Sequence, residues 1–173
     1  MGLFKREPLP DTITQSLDLI PGERVLAFGT DPLGRYVIAT TQGLHLQRRP
    51  PAYSRLDWSS IRHASFDSMA LRLDVDEPSS EGTVSATALK VPLLDHGDLP
   101  QVVRDRIMAS IALQQHVALR GRLGVTVAAR RQPGSDDLQW GVTYDNGLDA
   151  TDPELAADAA DALTQVRAES GLT

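Results

Sequence analysis

The chain has 173 residues, 41% of them apolar and 5% aromatic, with a formal net charge of -6. Such a length suits one cooperative unit that buries about 70% of its unfolded surface, and the acidic balance excludes a body whose whole surface attracts nucleic acid or anionic lipid. The absence of cysteine removes disulfides, thiol nucleophiles, cysteine-ligated zinc and iron-sulfur clusters.

Residues 1–10, MGLFKREPLP, read as a flexible lead. Their charge and proline come too early for a signal peptide, and no apolar run approaches the roughly 18 residues of a membrane span, so the expected compartment is the cytoplasm. From Asp11 the spacing of Ile13, Leu17 and Ile20 predicts a short amphipathic helix, stopped by Pro21 and Gly22. A strand at about 24–29 leads into the turn Asp31-Pro32-Leu33-Gly34, with proline second and glycine fourth. Strands at 36–40 and 44–48 are joined by Thr41-Gln42-Gly43 as a tight hairpin, and on the second Leu44 and Leu46 share one face while His45 and Gln47 take the other. Pro50-Pro51-Ala52-Tyr53 is a stiff surface loop. Leu56, Trp58, Ile61 and Phe66 form the next strand, bent near Ser59-Ser60 where alternation slips, with Trp58 in the core. Leu71, Leu73 and Val75 make a half-buried strand, residues 77–82 a polar loop, and 83–94 another strand.

The longest periodic stretch is 98–119. Leu99, Val103, Ile107 and Ile111 recur every four residues, and Val102, Met108, Leu113 and Val117 widen the stripe, which predicts one long helix. Asp98 and Gln101 suit a capping box around Pro100. Leu123, Val125, Val127 and Ala129 then alternate, as do Leu138, Trp140, Val142 and Tyr144. The link Pro133-Gly134-Ser135-Asp136 is short enough to force an antiparallel hairpin. A last helix starts at Pro153, with Thr151 or Asp152 as cap, Leu155, Ala159, Leu163 and Val166 as its stripe, and Gly171 at its end. Its alanines suit close packing on its own sheet. The class is α+β: a bent, mainly antiparallel sheet or partly open barrel capped by one long helix, with a C-terminal β-hairpin and helix extension. Residues 11–119 would be the core and 120–173 the extension packed on it.

Pro21-Gly22-Glu23-Arg24-Val25-Leu26, the hairpin Thr40-Thr41-Gln42-Gly43-Leu44-His45-Leu46, and Leu56-Asp57-Trp58-Ser59-Ser60-Ile61 followed by Leu71-Arg72-Leu73 occur in that order. In this they resemble the bacterial pleckstrin-homology-like domains, over about residues 12–118. The resemblance implies a bent antiparallel barrel closed by one amphipathic helix and used as a binding scaffold, usually for proteins or lipids. About six strands are expected before the long helix against the family's seven, with the missing one hidden in the bend at Trp58 or supplied by the later hairpin. Fold alone does not choose a ligand.

Catalytic candidates reduce to Asp95-His96-Gly97-Asp98, an imidazole between two carboxylates, which reads more simply as a turn and a helix cap. His45, His63 and His116 have no metal-ligand spacing. Gly121-Arg122-Leu123-Gly124 matches a nucleic-acid-clamping loop formally, but it would lead from a helix into a strand, where a helix-ending turn is the simpler reading. The acidic run 145–154 reads as solubilising. Basic charge is nearly all arginine, Lys5 and Lys90 being the lysines, which looks like a GC-rich bacterial source. Arg48 and Arg49, Arg120 and Arg122, and Arg130 and Arg131 would form an anion or acidic-partner patch if they converge, and are otherwise scattered solvated charges. The expected protein is therefore a non-enzymatic cytoplasmic adaptor whose partner is another protein, met at an exposed sheet edge or between core and extension. Alternatives are an anionic membrane held by the arginine pairs and an enzyme with a site near His96. No metal, cofactor or nucleic acid is expected, and a homo-oligomer stays open.

Overall fold

The chain turns a corner at Trp58, and that corner divides its first strands into two sheets. In a computed structural model, which describes residues 8–78 and 84–172, strands β1 (Val25–Thr30), β2 (Tyr36–Thr40), β3 (Gly43–Arg49) and β4 (Ala52–Asp57) pair in sequence order. β5 (Ile61–Asp67), β6 (Ala70–Pro78) and β7 (Val84–Pro92) form a second antiparallel sheet. The single bent strand expected across Trp58 is two strands separated by a 3-10 turn, Trp58–Ser60. Trp58 is buried there and its Nε1 donates to the Thr40 carbonyl at 3.0 Å, while Ser60 Oγ donates to the Asp57 carbonyl at 2.8 Å. The broken alternation in the sequence marks this change of sheet, and it accounts for seven described strands before the main helix where six were expected.

The β1–β2 turn closes as its residues dictate. Asp31 Oδ1 accepts from the Leu33 and Arg35 amides, both at 2.8 Å, and Gly34 takes a φ of 74°. Helix α1 (Asp11–Ser16) is shorter than expected, and Leu17 just beyond it is the buried anchor of that segment. Strand β6 runs on through Glu77 and Pro78 into the expected polar loop, the rest of which falls mostly outside the described residues, as does most of the N-terminal lead.

Helix α2 (Leu99–Ser110) lays Leu99, Val103 and Ile107 into a core shared with Trp58, Ile61, Leu71 and Leu73. The expected helix over 98–119 is corrected here. It stops at Ser110, whose Oγ donates to the Ile107 carbonyl at 2.6 Å. Ile111 is already extended, with φ -76° and ψ 113°, and opens strand β8 (Ile111–Arg120). Apolar residues in 111–119 fit period 2 as well as period 3.6, and an available partner strand decides between them. That partner is β9 (Leu123–Arg131), with β10 (Leu138–Tyr144) on its far side, so the expected hairpin is a three-stranded sheet. The capping box is not made either. Asp98 forms no side-chain cap bond, and Gln101 Nε2 donates forward to Asp105 Oδ1 at 2.7 Å.

Helix α3 (Pro153–Ser170) covers one face of this third sheet, packing Ala159, Ala162 and Val166 on Val125 and Val127 in a second core. Asp152 caps it by accepting from the Glu154 amide at 2.9 Å, and Gly171 ends it at a φ of 64°. The alanines thus serve the helix's own sheet. Among the described residues the architecture is α+β, with three antiparallel sheets and no closed barrel.

Candidate functional site

β5 is an edge strand: its sheet runs β5-β6-β7, so one side of its backbone has no partner in that sheet. Along that side lies a groove of about 600 Å³ between β5 and α2. Consecutive residues Arg62, His63, Ala64, Ser65 and Phe66 all line it. Because successive side chains point to opposite faces, a groove touched by every one of them follows the strand's edge and not a face. α2 supplies the other wall with Arg104, Ile107 and Met108. Met108 was expected to widen the buried stripe, yet it is 63% exposed, a flexible apolar side chain standing at the mouth of the groove. The lining holds Arg62, His63 and Arg104 and no carboxylate, on a chain whose net charge is -6.

At its Ile61 end the groove meets a second, narrower cleft of about 160 Å³, with Arg62 and Gln114 lining both. The far wall of this cleft is the face of the third sheet that α3 does not cover, where Thr126, Ala128 and Arg130 of β9 stand opposite Thr143, Gly141 and Gln139 of β10. A Cβ placed on Gly141 would meet nothing within 4 Å, so that wall is open. Arg62 Nη2 is bound to Asp76 Oδ1 at 2.5 Å.

The six arginines that would make a patch if they converged have separate fates. Arg120 Nη1 is bound to Asp158 Oδ2 at 2.6 Å, and Arg122 is exposed in the turn between β8 and β9. Arg131 is exposed at the other end of β9, roughly 25 Å from that turn at strand rise. Arg130 is buried, and its guanidinium donates to the carbonyls of Ile61 and Arg62. Burial, its largest influence, pushes its pKa below the usual arginine value and the nearby Arg62 adds to this, while the field of Asp76 opposes them. Arg48 and Arg49 are exposed at the end of β3, where Arg48 lines a pocket of about 320 Å³ with Arg35 and Lys90. Arg35 is itself bound to Asp31 at 2.6 Å.

His96 packs its ring edge on Phe66, centroids 4.6 Å apart, and its Nδ1 lies 2.9 Å from the Gly97 carbonyl. Gly121 and Arg122 form the turn between β8 and β9, and Leu123 and Gly124 already belong to β9, so this segment joins two strands and not a helix and a strand. His45, on the face of β3 opposite Leu44 and Leu46, is buried too, with its Nε2 3.0 Å from Glu23 Oε1. Thr40 Oγ1 donates to the same oxygen at 2.5 Å, and the Ile20 amide donates to Glu23 Oε2 at 3.1 Å. Burial works to raise the Glu23 pKa, but these hydrogen bonds outweigh it and hold the carboxyl below the ordinary glutamate range. No helix among the described residues is long and apolar enough to cross a membrane, and those residues contain no group of three or more His, Asp and Glu placed to hold a metal ion.

Sequence reasoning missed the groove because its walls, β5 and α2, lie more than thirty residues apart in the chain. The one local signal was Met108, an apolar residue at the margin of the α2 stripe. Compared with protein-family models, curated proteins and solved structures, the chain has no match.

Proposed function

We propose that the chain is a non-enzymatic binding or adaptor protein of a bacterial cytoplasm, built on a pleckstrin-homology-like core, that pairs an extended, acidic segment of a partner protein with β5. The observation that carries this reading is a groove along an unpaired strand edge, walled by α2, with three basic or imidazole side chains and no carboxylate in its lining. Added strands gain main-chain hydrogen bonds from such an edge and specificity from the flanking pockets. Four strands, a corner, three strands and then a helix also support the family resemblance. An array of random decapeptides probed with the full chain tests the proposal. Binders should be rich in Asp and Glu and should lose at least about tenfold in affinity with Met108→Glu or Arg104→Glu. Both positions are exposed, so the fold is kept. An array without binders, or binders indifferent to both substitutions, refutes it.

A second reading, attachment to an anionic membrane, draws on the pocket that Arg48 shares with Lys90 and Arg35, near the exposed Leu33 and Leu94. Co-sedimentation with phosphatidylserine vesicles that is lost in Arg48→Glu would favour it. Equal sedimentation with neutral vesicles removes it.

A further inference from the structure

Arg130 keeps only 9% of its surface, and every acceptor it meets is neutral. They are the Ile61 carbonyl at 3.0 Å, the Arg62 carbonyl at 3.1 Å and Ser110 Oγ at 3.2 Å. A buried guanidinium held only by neutral oxygens is costly unless an anion shares its surroundings. The nearby carboxylate of Asp76 is already taken by Arg62, so two guanidinium groups line the cleft against one carboxylate, and its remaining walls are uncharged.

Strand direction supplies the second argument. β5 runs from Ile61 to Asp67, so a segment paired antiparallel to it travels toward Ile61 and arrives with its C-terminal end at Arg62. There Arg130 occupies the carbonyls of Ile61 and Arg62, so the strand edge offers a further segment no free carbonyl at those two residues, and the uncovered face of the third sheet forms the far wall. The cleft at that point has a volume of about 160 Å³ and is lined by Arg130, Arg62 and Asp76 together with uncharged residues. A chain end arriving there brings a carboxylate to two guanidinium groups that share a single carboxylate.

We infer that this cleft receives the free C-terminal carboxylate of the segment paired with β5, bound by Arg130 and Arg62. The ligand class is then a protein C-terminus in extended conformation. This inference rests on the peptide-binding reading above and narrows it. Gln114, common to groove and cleft, marks the point where the last peptide unit passes from one to the other.

The test presents the decapeptide array twice, as C-terminal acids and as C-terminal carboxamides. Binders should lose at least about tenfold on amidation, the size expected for a charge-assisted hydrogen bond to a desolvated carboxylate. The acid-to-amide ratio should fall toward one in Arg130→Gln and shrink in Arg62→Gln, a half-buried position outside the core. If Arg130→Gln does not fold, the wild-type ratio together with Arg62→Gln decides. Acids and amides that bind alike overturn the inference while leaving the groove intact, provided Met108→Glu still abolishes binding. Binders that depend on an internal acidic residue and ignore amidation overturn it too, as does a ratio unchanged in Arg62→Gln. If no peptide binds, both proposals fall.

Discussion

Glu23→Ala should be among the most damaging single substitutions in the chain. The carboxylate side chain is fully buried and accepts from Thr40 Oγ1, His45 Nε2 and the Ile20 amide. Its loss does not strand Thr40, whose Oγ1 also lies 3.1 Å from the Gly43 carbonyl. It does strand the His45 ring nitrogen and releases the Ile20 amide. Leaving a buried polar group unpaired costs about 1–3 kcal/mol; this applies to the His45 nitrogen, whereas Ile20 is 43% exposed and its amide can turn to water. Removing one partner of a buried pair costs roughly 3–5 kcal/mol, which sets the upper end. About 3 kcal/mol corresponds to a fall in Tm of roughly 6–12 °C for a chain of this size. Glu23→Gln keeps the volume but turns an amide NH2 toward one set of donors, and should cost about half as much. Urea unfolding at pH 7 followed by tryptophan fluorescence measures both, since the Trp58 indole is bonded to the Thr40 carbonyl in the same corner. A loss below about 1 kcal/mol in Glu23→Ala refutes the reasoning. The same network sets an acid response. Because the folded pKa of Glu23 is depressed, its stabilisation is complete above the unfolded glutamate pKa and is lost as pH falls through the lower folded value. The acid limb of stability against pH should therefore be shallower in Glu23→Gln than in the wild type.

Two positions on α2 should separate core from groove. Leu99→Ala is expected to cost about 2–5 kcal/mol, and Met108→Ala to stay within about 0.5 kcal/mol in the same denaturation assay. At Gly124 a built Cβ would overlap the Val117 carbonyl oxygen across the β8–β9 hairpin, so Gly124→Ala should lose at least about 3 kcal/mol, whereas Gly141→Ala, which meets open space, should fold normally. Asp152→Ala removes the α3 cap and should lower stability by about 1 kcal/mol, read as an earlier urea midpoint.

Signals carried by neighbours in sequence were legible. The Asp31–Gly34 turn, the Asp152 cap, the Gly171 end and the antiparallel pairing of β9 with β10 follow from local backbone chemistry, and the structure has them, whereas Leu123, read as inward, is 40% exposed. What failed depends on distant partners. Residues 111–119 carry apolar side chains that suit a helix or a strand, and only β9 makes the choice. His45 shows in the sequence only as a residue on the face opposite Leu44 and Leu46, and its buried partner Glu23 lies 22 residues back in the chain. Arg130 is indistinguishable from Arg131 in the sequence. One residue of strand phase puts the first against the β5 carbonyls and the second in water. The groove was hidden for the same reason, since neither of its walls is unusual alone.

Ser110 ends α2 and Ile111 begins β8 with no residue between them, while Arg130 fastens the opposite strand to β5. The C-terminal third is thus joined to the rest both by the chain itself and by a hydrogen-bonded clasp, and the clasp sits on the strand that frames the groove. A fragment trimmed after residue 110 would keep most of its apolar centre and still forfeit the clasp that fixes the Ile61 end of β5. Shortening the molecule to a minimal platform would therefore blunt the very surface such a fragment was meant to isolate.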